Sequence, residues 1–262
     1  MALTDREFAL LQTSIDAIME KIAELHLSLS VETDFRGLAK FLGERGAFVY
    51  QCFNPQMWPL KGDCFWFRIT DMHGQTVASH ADRIYRTEDF CEMIENCELW
   101  YPNGRAALGG QDVKVQRPPI RISGTVGHSG SLWVDPEHRG KGLSYYLPQL
   151  SRSICLRNFS TDFHTGFVFK HLFNSKVPRA NYGYPHVELC LPEFCAITKK
   201  FEQLYLCWIT QAESIDRVRE MPQHEDYPID LELPLGSEVG ERPVARADDQ
   251  HVHLATVFGQ RQ

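Results

Sequence analysis

Between Leu132 and Ser144 the chain reads LWVDPEHRGKGLS. An apolar, strand-like run ends in Asp-Pro, Gly140 and Gly142 bracket Lys141, and a helical pattern begins at Leu143. Glycines at a strand-to-helix junction have two uses. They allow a tight turn, or they let a phosphate group approach the backbone. The first N–H groups of a helix lack intrahelical partners and carry partial positive charge, so a helix N-terminus is an anion site. Arg139 and Lys141 add full charges. The four residues RGKG do not by themselves separate the two uses.

The surrounding elements must present this junction. Phe8, Leu11, Ile15, Ile18, Ile22, Leu25 and Leu29 step alternately by three and four, which predicts one long amphipathic helix. Thr4 followed by Glu7 reads as its capping box. The strict heptad leaves two uses for that stripe: packing on the chain's own core, or a homodimer through the N-terminal helix. A shorter helix is expected over Thr33–Glu44. DCFWFRIT and QTVASHADRIY flank the turn formers DMHG, which predicts an antiparallel hairpin. A helix capped by Thr87 should follow, then a polar loop over 101–116. A long strand should end at Val134, and a helix should run from about Leu143 to Asn158, bent or delayed by Pro148. FHTGFVFK, HVELCL and FEQLYLCWIT read as strands, HLFNSKV as a helical turn and QAESIDRVRE as a closing helix.

Bulk properties limit the function. The 262 residues carry a net charge of −7, which points to no nucleic acid as partner. From Met221 onward eight acidic residues face three arginines, so an acidic, extended tail is expected over 221–262. Eight cysteines are spaced irregularly without a CxxC pair, and most sit in apolar runs as reduced, small hydrophobic residues. The start lacks a basic-then-apolar segment, and no long apolar span occurs, so the expectation is a cytoplasmic protein with no membrane partner. The GHSGS stretch lacks the last glycine of a nucleophile elbow. His251 and His253 stand without further ligands at metal-binding spacing, so no metal is expected.

The frame around RGKG narrows the reading. Leu132, Val134, Pro136, Arg139, Gly140 and Gly142 fall on the pattern L-x-V-x-P-x-x-R-G-x-G-x-G/A, with Ser144 at the last position. The chain thereby resembles the GNAT superfamily of N-acetyltransferases, strongly over Ile122–Phe169 and by element order elsewhere. The resemblance implies an α/β fold, a mixed, mostly antiparallel central sheet flanked by helices. Here that domain would span 31–220, with an insertion at about 87–119 and an N-terminal helical extension over 1–30.

It also implies acetyl-CoA, or another acyl-CoA, as co-substrate and an amine as acceptor. The diphosphate would rest on Arg139, Gly140, Lys141, Gly142, Leu143 and Ser144. The pantetheine arm would pair with the strand edge at Leu132, Trp133 and Val134, whose backbone would polarise the thioester carbonyl. Asn174 corresponds to a cofactor-binding asparagine of the family. A general base would help the amine attack. Alternation places His128 on one face with residues 130, 132 and 134, and an imidazole pKa near 6.5 suits the task. His80 and Glu188 are further candidates. The family's usual acid, a tyrosine, corresponds to Arg179 here, and Tyr182 beside Gly183 is the substitute. Phe35–Phe53, the insertion and Tyr182–His186 would build the acceptor site, with Trp58, Trp66 and Trp100 as candidate linings. That departure at Arg179 leaves an alternative: a catalytically inactive module of this fold that binds CoA or a protein.

Overall fold

The computed structural model describes residues 3–220. Helix α1 (Asp5–Glu24) starts where the Thr4 hydroxyl accepts from the Glu7 amide and the Glu7 carboxylate accepts from the Thr4 amide. Its stripe, Leu11, Ile15, Ile18 and Ile22, is buried against helix α4 (Leu143–Phe159) and the sheet. Each such side chain contributes roughly 1.5–3 kcal/mol on burial. The stripe therefore completes the chain's own core, and a dimer through that face would have to replace these contacts. Phe8, 44% exposed and under Arg157, is the apolar residue left at the rim.

The helix is shorter than its heptad. It ends at Glu24, His26 takes φ +57°, and Leu29 lies instead on strand β1 (Ser28–Glu32). Leu27, Leu29 and Val31 alternate, and a period of two prevails once the helical turn is broken.

Helix α2 (Phe35–Gly43) is capped by Asp34. The hairpin β2 (Cys64–Thr70) and β3 (Thr76–Thr87) forms as predicted, with Asp71 organising the turn. Helix α3 (Phe90–Glu95) is capped by Asp89 rather than Thr87; the Thr87 hydroxyl accepts one step earlier, from the Asp89 amide. The region expected as loop contains a 3₁₀ turn at Gly104–Leu108. Strand β4 (Gly124–Val134) leads through a 3₁₀ turn at Pro136–His138 into α4, and strand β5 (Phe163–Phe169) follows. Two single-turn helices come next, α5 (Lys170–Phe173) and α6 (Val177–Ala180). Then come β6 (His186–Leu191), a small ribbon of β7 (Phe194–Cys195) and β8 (Lys200–Phe201), β9 (Leu204–Thr210) and α7 (Gln211–Glu220). The expected acidic tail lies outside the described residues.

The main sheet runs β1-β2-β3-β4-β5-β9-β6. Every neighbouring pair is antiparallel except β4–β5. Helices α1 and α4 cover one face; α2, α3 and the segment around Trp100 cover the other. Pro148 is accommodated without ending α4, which runs continuously from Leu143. It removes the amide that would bond the Ser144 carbonyl. All eight cysteines are free and buried. Among the described residues no helix is long and apolar enough to cross a membrane.

Candidate active site

Strands β4 and β5 pair in parallel only from Val126–Phe163 to Ser129–Gly166. Beyond that last pair they part. β4 continues along β3 to Val134, and β5 continues along β9 to Phe169. On the side turned to β5, no strand of the described chain covers β4 from Gly130 onward. A cavity of about 290 Å3 opens in the wedge, lined by Gly130–Trp133 on one side and Gly166–Phe169 on the other.

A bulge shapes this edge. Ala81 pairs with Gly130 and Ser79 with Trp133, so β4 holds one residue more than β3 between these pairs. Ser131 takes up the excess at φ +51°. The bulge reverses the alternation. His128 and Gly130 face the α3 side, whereas Leu132 and Val134 join the core under α4. The expectation that residues 128 to 134 share one face is thus corrected. Trp133 turns to the α2 side and meets Phe41 edge-on, with Arg45 over both rings.

The glycine junction lies at the end of this edge. Gly140 and Gly142 adopt φ +75° and +77°, the left-handed region. Gly142 is the N-cap of α4 and supplies no side-chain cap, so no capping oxygen reaches the Ser144 amide, while the Tyr145 amide bonds the Gly142 carbonyl at 2.8 Å. A Cβ on Gly142 would lie 2.8 Å from the Tyr146 ring. Arg139, Gly140 and Lys141 are exposed. The Ser144 hydroxyl accepts from the Asn181 side-chain amide at 3.2 Å. Asn174, by contrast, ends α5 and is not part of the cavity wall.

His128 is fully buried behind the cavity, and both its ring nitrogens are engaged. Trp100 Nε1 donates to the Tyr50 hydroxyl at 2.8 Å, and that hydroxyl lies 3.0 Å from His128 Nε2. His128 Nδ1 lies 2.9 Å from the Thr165 hydroxyl, which donates to the Gly127 carbonyl. Indole is only a donor, so the Tyr50 proton points to Nε2 and Nδ1 carries the histidine proton. Burial pulls the His128 pKa down to about 3, with smaller contributions from His164 and Arg83. Neither nitrogen is left for an incoming amine. Tyr50 is the member of this chain that reaches the cavity. Of the three tryptophans expected near an acceptor, Trp66 and Trp100 are core residues, and none lines the cavity.

Tyr182 lines the cavity, and its carbonyl accepts from Arg152 at 2.6 Å. Tyr184, two residues on, is placed more tellingly. Its hydroxyl lies 3.1 Å from Ser129 Oγ and 2.9 Å from His164 Nδ1. It therefore sits at the vertex of the wedge, over the last β4–β5 pair. His164 Nε2 lies 3.3 Å from Asp82 Oδ1 and 3.2 Å from the Ser151 hydroxyl, which donates to the same Asp82 oxygen at 2.7 Å. All these side chains are buried, and burial raises Asp82 to about 6 while pushing His164 well below its usual range. Asp82, Cys155 and His164 come within 4.8 Å of one another as potential metal ligands. The Ser151 hydroxyl serves Asp82 Oδ1, while Asp82 Oδ2 has no hydrogen-bond partner among the described residues and lies 3.8 Å from His80 Nε2.

His80 lines the cavity and is 2% exposed, and neither ring nitrogen has a hydrogen-bond partner among the described residues. Burial lowers its pKa to about 4. A neutral imidazole is thereby presented to whatever fills the cavity. Glu188 is on β6 and does not line it. Asp82, His164 and Tyr184 escape the motif reading, although one signal was available. Ala78, His80, Asp82 and Ile84 alternate on the core face of β3, which places two polar residues where apolar ones belong.

The fold resembles that of the GNAT superfamily. The seven-stranded, mostly antiparallel sheet flanked by helices is the fold class that the resemblance implies. No protein-family profile matches the sequence, and no curated protein matches it. Among solved structures, the chain is similar to the spermidine N-acetyltransferase of Vibrio cholerae in a dodecameric structure, at 13% identity and TM-score 0.46, covering 73% of this chain and 98% of that one. It is also similar to NAA60 of Arabidopsis thaliana in complex with acetyl-CoA, at 10% identity and TM-score 0.45, covering 70% and 99%. A third is the Vibrio cholerae spermidine N-acetyltransferase with CoA and spermine, at 12% identity and TM-score 0.42, covering 72% and 98%.

Proposed function

We propose that this protein transfers an acetyl, or other short acyl, group from acyl-CoA to an amine. The observation that carries this reading is the continuity of wedge and junction. One strand, β4, offers an unpaired edge at Gly130–Val134 and runs directly into the glycine turn at the N-terminus of α4. A ligand that is peptide-like along its arm and anionic at its end fits that sequence of groups. CoA is such a molecule. Its diphosphate would meet the amides of Arg139 to Ser144 and the charges of Arg139 and Lys141. Its arm would pair with β4 as an added strand. The thioester would then lie at the wedge, near the Tyr184 hydroxyl.

The cavity wall also bears on the acceptor. Among the described residues it contains aromatic and aliphatic side chains with Tyr50, His80, Ser129, Tyr182 and Tyr184, but no Asp, Glu, Lys or Arg. A polycation would find no carboxylate there, and desolvating it would be costly. An amine carried on an apolar group fits the wall.

The test is binding first, then turnover. Acetyl-CoA should raise the thermal midpoint of the protein. Thiol should then be released from acetyl-CoA in the presence of an alkyl or arylalkyl amine. No thermal shift at millimolar acetyl-CoA sinks the reading. Binding without thiol release across an amine panel would favour the inactive CoA-binding module instead.

A further inference from the structure

Resting on the acyl-transfer reading, we infer that Tyr184, His164 and Asp82 form a proton relay that serves the amine and the thiol in turn. The hydroxyl of Tyr184 is the terminal group and touches substrate. His164 and Asp82 are positioning residues that hold its proton.

The hydrogen-bond directions follow from the neighbours. Asp82 Oδ1 accepts from Ser151 and from His164 Nε2, which fixes the proton of neutral His164 on Nε2. His164 Nδ1 is then a lone pair, and it can only accept from the Tyr184 hydroxyl 2.9 Å away. The Tyr184 oxygen keeps its lone pairs for the cavity and for the Ser129 hydroxyl at 3.1 Å, which shares its one proton between that oxygen and the Thr165 carbonyl at 3.3 Å. This is the carboxylate–imidazole–hydroxyl order that makes a hydroxyl oxygen a proton acceptor. Burial raises the pKa of the Tyr184 hydroxyl and keeps it protonated at rest, and the Arg152 guanidinium, 5.0 Å from the centre of the ring, offsets part of that rise. Arg152 also holds the carbonyls of Tyr182 and Gly183, which fixes the turn that carries Tyr184.

The step balances as follows. The amine nitrogen forms its bond to the thioester carbon, and the carbonyl π pair moves to oxygen. One N–H proton passes to the Tyr184 oxygen. The Tyr184 proton passes to His164 Nδ1, and the His164 Nε2 proton to Asp82. When the C–S bond breaks, the thiolate takes a proton from Tyr184 and the relay runs back to refill it. Overall, one proton moves from nitrogen to sulfur and the three residues end as they began. The same hydroxyl thus serves as base and acid in turn, in a chain where the family's usual tyrosine position is occupied by Arg179.

The experiment uses the full chain, acetyl-CoA and whichever amine gives the fastest thiol release. Tyr184→Phe keeps the ring under Arg152 and removes only the hydroxyl. Asp82→Asn keeps the shape of the carboxylate and removes its capacity for the proton. Each should lower kcat by roughly 100-fold or more, with KM for acetyl-CoA and its thermal shift retained. The double variant should fall no further than the lower single one, because residues acting as a unit are not additive. Unaltered kcat in Tyr184→Phe, or multiplicative losses in the double variant, would overturn the relay while leaving acyl transfer intact. Loss of acetyl-CoA binding in Tyr184→Phe would overturn it too, by showing a binding role instead. Should Asp82→Asn fail to fold, Tyr184→Phe decides alone by its kcat.

Discussion

A Cβ on Gly166 would lie 3.2 Å from the Tyr184 hydroxyl and 3.3 Å from Ser129 Oγ. The hydroxyl occupies space that any other residue at 166 would claim. Glycine at the last β4–β5 pair is thus what allows a tyrosine oxygen to sit at the vertex of the wedge. Gly166→Ala should displace that oxygen by a few tenths of an ångström and cost about 1–3 kcal/mol in overpacking. Turnover should fall several-fold or more while acetyl-CoA still raises the thermal midpoint. Full activity in Gly166→Ala would detach the hydroxyl position from function.

Gly142 tests the other end of the site. At φ +77° with Tyr146 behind it, an alanine faces both a left-handed backbone and a 2.8 Å contact. The backbone alone costs roughly 1–2 kcal/mol. The turn is expected to relax by moving its amides, and acetyl-CoA affinity should fall at least ten-fold. Gly140→Asp places an anion among the same amides and should abolish binding. Calorimetric titration separates the outcomes, and equal affinity in both variants would remove the diphosphate from this turn.

The parts legible in the sequence were those fixed by local rules. The α1 capping box, the DMHG hairpin and the strand-to-helix junction each depend on residues within a few positions. Three features were not local. The bulge at Ser131 depends on register against β3, so the alternation from His128 onward could not be continued safely. The end of α1 gave way to β1 because Leu27, Leu29 and Val31 fit either period and the β2 edge was there to receive them. The Asp82–His164–Tyr184 chain joins three residues spread over about a hundred positions. Only its β3 member left a trace, as a charge on an apolar face.

Buried imidazoles give the protein a characteristic response to acid. Burial lowers His80 to about 4 and His128 to about 3, and it pushes His164 down as well. In the unfolded chain these groups titrate near 6.5. Their stabilising contribution is therefore present above pH 6.5 and is lost as pH falls through the folded values. Asp82, raised to about 6, acts in the opposite sense. Its contribution is present below the unfolded carboxylate value and is lost as pH rises through 6. Between pH 6.5 and 4 three histidines oppose one carboxylate, so stability falls on acidification. Each uncompensated proton contributes about 1.4 kcal/mol per pH unit. Urea unfolding at pH 7, 6 and 5 should show this decline. His128→Gln, which can still bond Tyr50 and Thr165, should make it shallower, and an unchanged slope would show that His128 is not protonated on unfolding in this range.

The acceptor prediction follows from charge. A spermidine-type acceptor carries several ammonium groups, and each would need a carboxylate or water inside the site. The wall offers neutral His80, three tyrosine rings and aliphatic side chains. Thiol release should therefore be faster with alkyl or arylalkyl amines than with spermidine by at least ten-fold in kcat/KM. The eight protein thiols are buried and will not obscure that assay while the fold is intact. His80→Leu should raise KM for the preferred amine, or for acetyl-CoA, because it removes an imidazole that lines the cavity with no hydrogen bond to the described residues. Whichever KM moves shows which substrate lies against β3. A preference for spermidine, or no change in either KM, would mean that the acceptor enters from outside this cavity.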